Sequence, residues 1–484
     1  MSAMKKMQMH ASKPFGVLVA VFMIAMAAGA RRDARPNIIV ILTDDQGYGD
    51  VGRHGNPILK TPNFDRLHDE SVRFTDFQVS PCCAPTRCAL LTGMHEFKSG
   101  VTHTIKPWRE MNPRSTTVAQ TLKTAGYATG IFGKWHLGLD DAYRPNNRGF
   151  DEALHAKGDV QKSHFDPVLS RDGVEKKYKG YREDILFAEA MAFIEKNKDG
   201  KFFCYIPTYA PHTPNIAPEE YVEPYKDHPQ AAFFGQVANV DQNIGLLLAK
   251  LVELKIDQET LIVLISDNGG TKGVDAWNAG MRGCKATPWI GGTRAMSFWR
   301  WPGVFKPRDV GSLTAHIDVL PTLAEISKAP LTEKHRSQLD GLSLLPLLNN
   351  PAAPWPADRM LFTNVGRWGK VAADTHAHNF AAVRMGKYHL VNNRCCADAK
   401  CRHAKCKQAR GVADGSYKSI YTEDADKHYA LTPEQGWGLY DLEHDVSESS
   451  NLAGQHPEVV ERMAKAYDAW WAEVRPLMFP EDDV

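Results

Sequence analysis

The chain has 484 residues, of which 43% are hydrophobic and 24% charged, and its formal net charge is +1. This composition is that of a globular protein with a substantial core, and it does not indicate intrinsic disorder. A net charge so close to zero argues against a general nucleic-acid or membrane-surface binder, so we expect no nucleic-acid partner. The length allows one large domain and a smaller one.

The first thirty residues have the features of an export signal. Three lysines precede an apolar segment over residues 15–28, and an Ala-Gly-Ala sequence at residues 28–30 offers a cleavage site. The apolar segment is short for a membrane-spanning helix of about 20 residues, although an uncleaved anchor is the alternative. We therefore expect a periplasmic or secreted protein from which residues 1–30 are removed, with no stable membrane insertion.

Polar residues follow two apolar runs that are far apart in the chain. The first run comes after Pro36 and the second begins at Thr260. Each is expected to be a fully buried strand of a parallel sheet, and the carboxyl ends of such strands meet at a ligand crevice. Oxygen ligands without sulfur or nitrogen suit a hard cation such as Ca²⁺ or Mg²⁺. The candidate ligands at the two strand ends are Asp44, Asp45, Asp267 and Asn268.

Between these runs, residues 80–93 place a cysteine at the start of a short apolar segment. Pro85 is favourable in a first helical turn, and Gly93 is a plausible helix stop. The resulting helix would hold Cys83 at its positive end, where backbone N–H groups favour negative charge. Arg87, four residues on, would lie on the same helical face. The segment predicts a site that handles an anion; a buried structural cysteine is the alternative.

Helices and strands alternate through most of the chain, which favours a doubly wound α/β sheet. Two loops after predicted strands carry ionisable side chains: Lys134 and His136 lie between glycines, and His212 follows a short apolar strand. Asp318 is the expected N-cap of a later helix. The predicted helices cover residues 115–126, 184–197, 237–251 and 319–327, and short strands cover residues 127–132 and 202–207.

The C-terminal part of the chain is expected to form a small unit of its own. Residues 346–356 are rich in proline, asparagine and alanine, which is typical of a linker. Hairpin strands are expected near residues 380–391 and 438–442, and an amphipathic helix over residues 457–473. The predicted fold is a large doubly wound mixed α/β sheet flanked by helices, plus a small C-terminal α+β subdomain with a short antiparallel sheet. The predicted units are 1–30 (signal), 31–355 (α/β domain with the candidate site) and 356–484 (C-terminal subdomain).

Cys83, Pro85 and Arg87 stand in a pattern that resembles the type I sulfatase signature, Cys-x-Pro-Ser/Thr-Arg. Further segments match motifs of that family in the family's order, from residue 38 to about 295. They are the two acidic strand ends, the Lys-x-His loop, the His-Thr-Pro segment and a lysine before a Gly-Gly-x-Arg turn. The segment from Leu439 to Leu452 also resembles the C-terminal subdomain of the family.

The resemblance implies an exported sulfuric ester hydrolase that releases inorganic sulfate from sulfate monoesters. Sulfated carbohydrate is the first expected substrate, and a small aryl sulfate is the alternative. In this family a maturation enzyme, the formylglycine-generating enzyme, oxidises the signature cysteine to formylglycine, whose hydrated aldehyde is the nucleophile. The implied catalytic residues are Cys83, Arg87, Lys134, His136, His212 and Lys285. The implied ligands of Ca²⁺, or of Mg²⁺, are Asp44, Asp45, Cys83, Asp267 and Asn268.

The implied roles follow from the charge of a sulfate ester. Lys134 and Lys285 would hold sulfate oxygens and the leaving oxygen, because charge builds on the bridging oxygen as the S–O bond breaks. Arg87 would fix the nucleophile. His212 would be the general acid for the leaving oxygen, and His136 would be the base that allows sulfate to leave.

Two positions depart from the family pattern, and the substrate pocket is not readable. Thr86 stands where serine is commoner, and Ile290 stands where an acid often precedes Gly-Gly. Ser163 and His164 are candidates for a polar pocket position. Candidates for a sugar subsite, with core or solvent-facing roles as the alternative, are Trp108, Arg109, His155, Arg367 and Trp368.

The nine cysteines fit an oxidising destination only loosely. Four of them form a cluster with the spacing C-C-x4-C-x4-C, which does not match the usual zinc spacings. Disulfides within this loop are therefore expected, with a connectivity that the sequence does not give. The four residues are Cys395, Cys396, Cys401 and Cys406.

Two other functions remain open at this point. A phosphate or phosphonate ester hydrolase of the same superfamily would share the acidic strand ends, but such enzymes often bind two metals, whereas lysines surround this site. A secreted carbohydrate-binding protein without catalysis would also fit an export signal. The intact lysines and histidines argue against it, because binding alone has no need of both.

Overall fold

The computed structural model describes residues 35–156, 163–368, 372–396, 398, 400–402, 404–432 and 436–479. The predicted export signal lies outside these residues. Within them, no helix has both the length and the apolar character that a bilayer crossing requires.

Seventeen strands are present in the described part of the chain. In chain order they are β1 (Asn37–Thr43), β2 (Val72–Phe74), β3 (Phe77–Gln78), β4 (Ala128–Phe132), β5 (Glu152–Ala156), β6 (Val168–Arg171), β7 (Val174–Lys177), β8 (Phe202–Pro207), β9 (Thr260–Ser266), β10 (Arg294–Ala295), β11 (Ser297–Arg300), β12 (Arg308–Val310), β13 (Thr314–Ala315), β14 (Met360–Asn364), β15 (Ala381–Met385), β16 (Tyr388–Asn392) and β17 (Gly438–Asp441).

The same residues form thirteen α-helices. They are α1 (Pro62–Glu70), α2 (Cys83–Thr92), α3 (Val118–Thr124), α4 (Arg182–Asn197), α5 (Glu219–Val222), α6 (Ala231–Glu253), α7 (Ile290–Thr293), α8 (Val319–Ser327), α9 (Glu333–Gln338), α10 (Leu345–Asn349), α11 (Ala404–Ala413), α12 (Ala425–Tyr429) and α13 (Pro457–Val474).

A ten-stranded mixed sheet is the centre of the fold. Its order is β12-β2-β11-β9-β1-β8-β4-β5-β6-β7, and the five strands from β9 to β5 are parallel. A small sheet of order β10-β3-β13 lies beside it, and a four-stranded antiparallel sheet of order β14-β15-β16-β17 is built from the C-terminal part. The predicted fold class, a large mixed α/β sheet with a small antiparallel sheet, is confirmed.

Strand β1 shows why the sheet is covered on both faces. All seven of its residues are buried, and successive side chains point to opposite faces. Ile38, Val40 and Leu42 belong to the apolar cluster that includes residues of α2, α3 and α8. Ile39 and Ile41 belong to the cluster on the other face, with residues of α4 and α6. Burial on both faces explains why the sequence of β1 is a continuous apolar run rather than an alternation of apolar and polar residues.

Most predicted elements are confirmed, with two corrections. The predicted N-cap Asp318 makes no side-chain capping bond to α8, because the turn before that helix is already helical. Its carboxylate instead pairs with the guanidinium of Arg359, whose Nη2 lies 2.6 Å from Oδ1. The predicted linker over residues 346–356 is partly the helix α10, and the indole of Trp355 donates to the carbonyl oxygen of Leu313 at 2.9 Å.

Candidate active site

The two acidic strand ends meet as predicted, because β1 and β9 are adjacent parallel strands. Thr43 is paired with Ser266, so the residues that follow them are neighbours. The backbone N–H of Asp45 donates to Asp267 Oδ1 at 3.1 Å, and Asn268 Nδ2 donates to Asp45 Oδ1 at 3.1 Å. All four residues at these strand ends are fully buried: Asp44, Asp45, Asp267 and Asn268.

Several oxygens of this cluster have no hydrogen-bond partner within the described chain. They are Asp44 Oδ1, Asp45 Oδ2 and Asn268 Oδ1. A buried carboxylate oxygen without a partner is costly, and a bound cation removes that cost. One ligand atom each from Asp44, Cys83 and Asp267 lies within 4.8 Å of the other two. The arrangement fits a hard divalent cation, because carboxylate and amide oxygens dominate it.

Three buried cations compensate the carboxylates. Lys134 Nζ donates to Asp44 Oδ2 at 2.7 Å, and Lys285 Nζ pairs with Asp45 Oδ1. Burial lowers the pKa of Lys285, but Asp45, Cys83 and other groups nearby together outweigh burial and bring that pKa well above its ordinary value. Burial raises the pKa of Asp44, but Lys134 and the other cations nearby hold it well below its usual range. The third cation, Arg87, contacts Asp267 and the carbonyl oxygen of Lys134.

Cys83 is the first residue of α2, as the sequence predicts. Every residue of this helix is buried, Cys82 before it is extended, and Gly93 ends it with a φ of 68°. Burial raises the pKa of the Cys83 thiol, but Lys134 and Lys285 outweigh burial and bring the pKa below its ordinary value. The site at Cys83 therefore favours negative charge.

His136 lies in the loop after β4, beside this cluster. Its Nε2 lies 2.9 Å from the carbonyl oxygen of Thr104, so Nε2 carries the proton and Nδ1 the lone pair. Burial, together with the charges of Lys134 and Arg87, holds the pKa of His136 well below its ordinary value. The imidazole is therefore neutral near pH 7, which suits a general base.

His212 lies on the loop after β8, close to Asp45. Its Nδ1 is 2.6 Å from the carbonyl oxygen of Thr213, and its Nε2 is 3.8 Å from Asp45 Oδ2. Because Nδ1–H donates to the carbonyl, Nε2 can donate a proton only when the ring carries two protons. His212 is suited to a general acid in its cationic form.

The two departures from the family pattern have clear local roles. Thr86 Oγ1 donates to the carbonyl oxygen of Ser80 at 3.0 Å, which ties the first turn of α2 to the segment before it. Ile290 contributes through its backbone: its N–H donates to Glu448 Oε2 at 2.8 Å. Glu448 is buried and also contacts His389 Nδ1 at 2.6 Å, so the C-terminal sheet supports the Gly291 turn.

The candidate subsite residues separate into different environments. Trp368 is buried in the C-terminal core, where its ring centroid is 5.7 Å from that of Trp471, so it has the core role that was the alternative to a sugar subsite. His155 is buried in β5 with Nδ1 against its neighbour's carbonyl oxygen. Trp108 and Arg109 are half-buried in a loop. Arg367 lies among the charges that surround Cys82 and Cys83.

The two candidates for a polar pocket position also differ in their surroundings. Ser163 is exposed, and its hydroxyl donates to the carbonyl oxygen of Phe165. His164 is buried, and its pKa is lowered to about 4 by burial and by the charges of Arg182 and His212. Of the two, His164 is the one that lies near the candidate acid.

Two residues from the C-terminal part, Tyr421 and Lys405, reach the site without having been predicted. Lys285 Nζ lies 5.9 Å from the ring centroid of Tyr421, and Lys405 Nζ donates to the carbonyl oxygen of Ala286 at 2.5 Å. Burial and the neighbouring Arg367 lower the pKa of Lys405 to about 7. No local pattern marks these residues, because their contacts span more than a hundred positions.

Comparison with known proteins identifies the family. Residues 36–329 match the Sulfatase family model. Human arylsulfatase A is 30% identical over 91% of this chain and 89% of its own length. N-acetylgalactosamine-6-sulfatase of Canis lupus familiaris is 29% identical over 74% of this chain and 75% of its own. The crystal structure of Ps i-CgsB in complex with k-i-k-neocarrahexaose superposes with a TM-score of 0.74 at 26% identity, covering 90% and 92% of the two chains.

The fold and these similarities define an α/β hydrolytic enzyme that acts on sulfate esters. The chain belongs to the sulfatase family, of the type I class that its signature resembles.

Proposed function

We propose that this protein is an exported sulfatase that releases inorganic sulfate from sulfated carbohydrate. The observation that carries the proposal is the buried cluster of Asp44, Cys83 and Asp267, flanked by the ammonium groups of Lys134 and Lys285. The singly charged sulfate group of a sulfate monoester fits this site. A doubly charged phosphate ester fits it less well, because it would need a second metal. The carbohydrate assignment is supported by a relative named N-acetylgalactosamine-6-sulfatase and by a similar structure described as a complex with k-i-k-neocarrahexaose.

A calcium ion is the proposed metal. The ligands would be oxygens of Asp44, Asp45, Asp267 and Asn268, together with the side chain at position 83. The oxygens without hydrogen-bond partners support this assignment, and Mg²⁺ is the second candidate because it shares the preference for oxygen. When bound, the ion would polarise a sulfate oxygen and stabilise negative charge next to position 83.

Formylglycine derived from Cys83 is the proposed nucleophile. The modification replaces the C–S bond by a C=O bond, and the sulfur leaves at the oxidation level of sulfide. This is a two-electron oxidation, so it needs an external oxidant such as O₂, which the maturation enzyme would use. Cys83 is only 2% exposed in the folded chain, so the maturation enzyme would act before folding is complete. When hydrated, the aldehyde would supply one hydroxyl to attack sulfur and a second whose deprotonation releases sulfate.

The surrounding side chains have distinct proposed tasks. Lys134 and Lys285 would bind sulfate oxygens, and Lys285 would also stabilise the leaving oxygen. Cationic His212 would donate the proton on Nε2 to that oxygen, while neutral His136 would accept a proton through Nδ1. Arg87 would hold the carbonyl of Lys134 and the carboxylate of Asp267, which fixes the first turn of α2 against the strand ends.

The proposed reaction is tested by substrate preference and by the chemical state of residue 83. We expect the purified protein to release sulfate from p-nitrophenyl sulfate and from sulfated galactose or N-acetylgalactosamine. Mass spectrometry should show the sulfur-for-oxygen exchange in the peptide with Cys83. Cys83→Ala should lower turnover by about 10⁴-fold or more. Cys88→Ala removes a thiol of the same helix that lies outside the cluster, so this control should retain the turnover of the wild type.

Two outcomes would contradict these proposals in different ways. A preference for p-nitrophenyl phosphate would favour the phosphate ester hydrolase. Full activity with an unmodified Cys83 thiol would leave the sulfatase assignment intact and refute the formylglycine nucleophile.

N-terminal sequencing of protein exported from the producing cell tests removal of residues 1–30.

A further inference from the structure

A second cluster of potential metal ligands lies in the C-terminal part, away from the acidic strand ends. His376, Cys396, Cys401 and Cys406 each offer one ligand atom, and these four atoms lie within 4.8 Å of one another. His376, Cys396 and Cys406 are buried, and Cys401 is half-buried. Three thiols and an imidazole in a largely buried position are the ligand set of a structural zinc site.

The distances between the ligand atoms match the edges of a zinc tetrahedron. His376 Nε2 is 3.6 Å from Cys401 Sγ and 3.5 Å from Cys406 Sγ, and the sulfurs of Cys406 and Cys396 are 3.7 Å apart. With Zn–S bonds of about 2.3 Å and Zn–N bonds of about 2.0 Å, a tetrahedral ion requires S···N edges of about 3.5 Å and S···S edges of about 3.8 Å. All three measured edges agree with these values.

The predicted disulfides are not formed in the structure. None of the nine cysteines, all of which lie in the described residues, is joined to another. The sulfurs of Cys396 and Cys406 are almost twice as far apart as a disulfide bond of about 2.05 Å. A metal site could not be predicted from the cysteine spacing, because its fourth ligand, His376, lies twenty residues before Cys396 and outside any familiar zinc spacing.

The hydrogen bonds of His376 leave the correct nitrogen for a metal. Its Nδ1 lies 2.8 Å from the carbonyl oxygen of Ala372 and 2.9 Å from the hydroxyl of Thr375. Donation from Nδ1–H to a backbone carbonyl places the lone pair on Nε2, which is the nitrogen that faces the sulfurs. Metal-bound histidines usually have their second nitrogen fixed by such a bond.

The cluster is placed where it can support the catalytic side of the molecule. Cys396 and Cys406 share an apolar cluster with Cys82 and Ala286, which are the neighbours of Cys83 and Lys285. Cys406 is the third residue of α11, and Lys405 beside it donates to the carbonyl oxygen of Ala286. An ion that joins α11 to His376 would therefore hold this helix against the signature segment.

We propose that His376, Cys396, Cys401 and Cys406 bind a structural Zn²⁺ that holds the segment around α11 against the catalytic motif. Binding converts the three thiols to thiolates and releases their protons, without any change of oxidation state. Zinc is preferred over the hard cation proposed for the acidic cluster, because thiolates and imidazole are softer ligands than carboxylates.

The test measures metal and thiols in the full-length protein purified without chelators. We expect about one zinc ion per chain, and less than about 0.1 per chain in His376→Gln and Cys401→Ser. Cys395→Ser is the matched control, because its thiol is adjacent in sequence but outside the ligand group, and it should retain zinc. The two ligand variants should also have a lower Tm than this control.

Cobalt substitution gives a spectroscopic signature of the ligands. Co²⁺ added to zinc-free protein, with Ca²⁺ present, should produce thiolate-to-cobalt charge-transfer absorption in Cys395→Ser and lose most of it in Cys401→Ser. Three results would overturn the proposal: a disulfide between any of the three ligand cysteines in the purified protein, absence of zinc after reconstitution, or equal zinc content in Cys401→Ser and Cys395→Ser. None of these readouts depends on sulfatase activity.

Discussion

Arg87 and Asp267 are 180 residues apart in the chain and form a fully buried ion pair. Arg87 Nε and Nη2 both donate to Asp267 Oδ2, at 3.1 and 2.7 Å. Burial lowers the pKa of the guanidinium, but Asp267 and Asp44 outweigh burial and raise it above its ordinary value. The pair joins the signature helix α2 to the end of β9, so the nucleophile position and the acidic cluster are fixed relative to each other.

Removing Arg87 should therefore destabilise the protein as well as the site. Arg87→Ala leaves the carboxylate of Asp267 buried without its main partner, and we expect the free energy of unfolding to fall by about 3–5 kcal/mol. Arg87→Lys keeps the charge but loses the planar pair of donors, so its loss should be smaller. Chemical denaturation measures both. In the control Arg53→Ala, loss of the exposed pair with Asp69 should leave the free energy of unfolding nearly unchanged; an equal loss in both alanine variants would contradict this expectation.

The pH profile should reveal His136 as a base with a low pKa. A base must be deprotonated, so kcat should fall on the acid side, and burial with Lys134 and Arg87 places that fall below about pH 6.5, the ordinary histidine value. His136→Gln should lower kcat by about 10²–10⁴-fold and abolish this acid limb. Measurements of kcat against pH on both proteins test it. An acid limb that survives the substitution would assign it to another group.

Asp50 should make stability depend on pH in the opposite sense from most carboxylates. Burial raises its pKa to about 7, against about 3.9 in the unfolded chain. The folded state holds the proton more tightly, so its stabilising contribution is present below about pH 4 and is lost as pH rises towards 7. Asp50→Asn keeps the group neutral. Its free energy of unfolding relative to wild type should rise by about 1–3 kcal/mol between pH 5 and pH 8, while the exposed Asp199→Asn should show no such trend.

The sequence allowed prediction of the acidic strand ends and of α2, because both depend on local patterns. A continuous apolar run predicts a buried parallel strand, and the topology of parallel strands then brings Asp44 and Asp267 together. Cys83 could be placed at a helix start because proline and glycine mark the first turn and the end of α2.

Features that depend on tertiary contacts could not be read in this way. For Trp368 the sequence left both a sugar subsite and a core position open, because an aromatic side chain suits either, and only the fold shows that it packs against Trp471. Asp45 and His136 have left-handed backbone, with φ of 68° and 63°. Aspartate and histidine adopt this conformation more often than most non-glycine residues, but still uncommonly, so it could not be predicted from the residue type. The role of His376 in the cysteine cluster could not be predicted either, because only the fold brings His376 close to Cys401.

Gly133 should be indispensable for placing Lys134. A Cβ at this position would lie 1.9 Å from the carbonyl oxygen of Pro207, and the φ of 144° is in the region that favours glycine. The same carbonyl accepts the N–H of Lys134 at 2.7 Å. Gly133→Ala should therefore lower both Tm and turnover. In the control Gly200→Ala, the nearest atom would be 3.8 Å away and both quantities should be nearly unchanged; wild-type turnover in Gly133→Ala would refute the argument.

Chelators of different selectivity should separate the two proposed metal sites. EGTA should remove Ca²⁺ from the carboxylate ligands, whereas three thiolates and an imidazole should keep zinc bound. Sulfate-ester turnover should then fall by about 10²-fold or more, and added Ca²⁺ should restore it. 1,10-Phenanthroline prefers Zn²⁺, so it should remove zinc and lower Tm because the segment around α11 loses its attachment. Elemental analysis, turnover and thermal unfolding after each treatment form the measurement. Unchanged turnover in calcium-free, magnesium-free protein would contradict the cation proposed at Asp44 and Asp45, and an unchanged Tm after zinc removal would contradict the structural role of the second site.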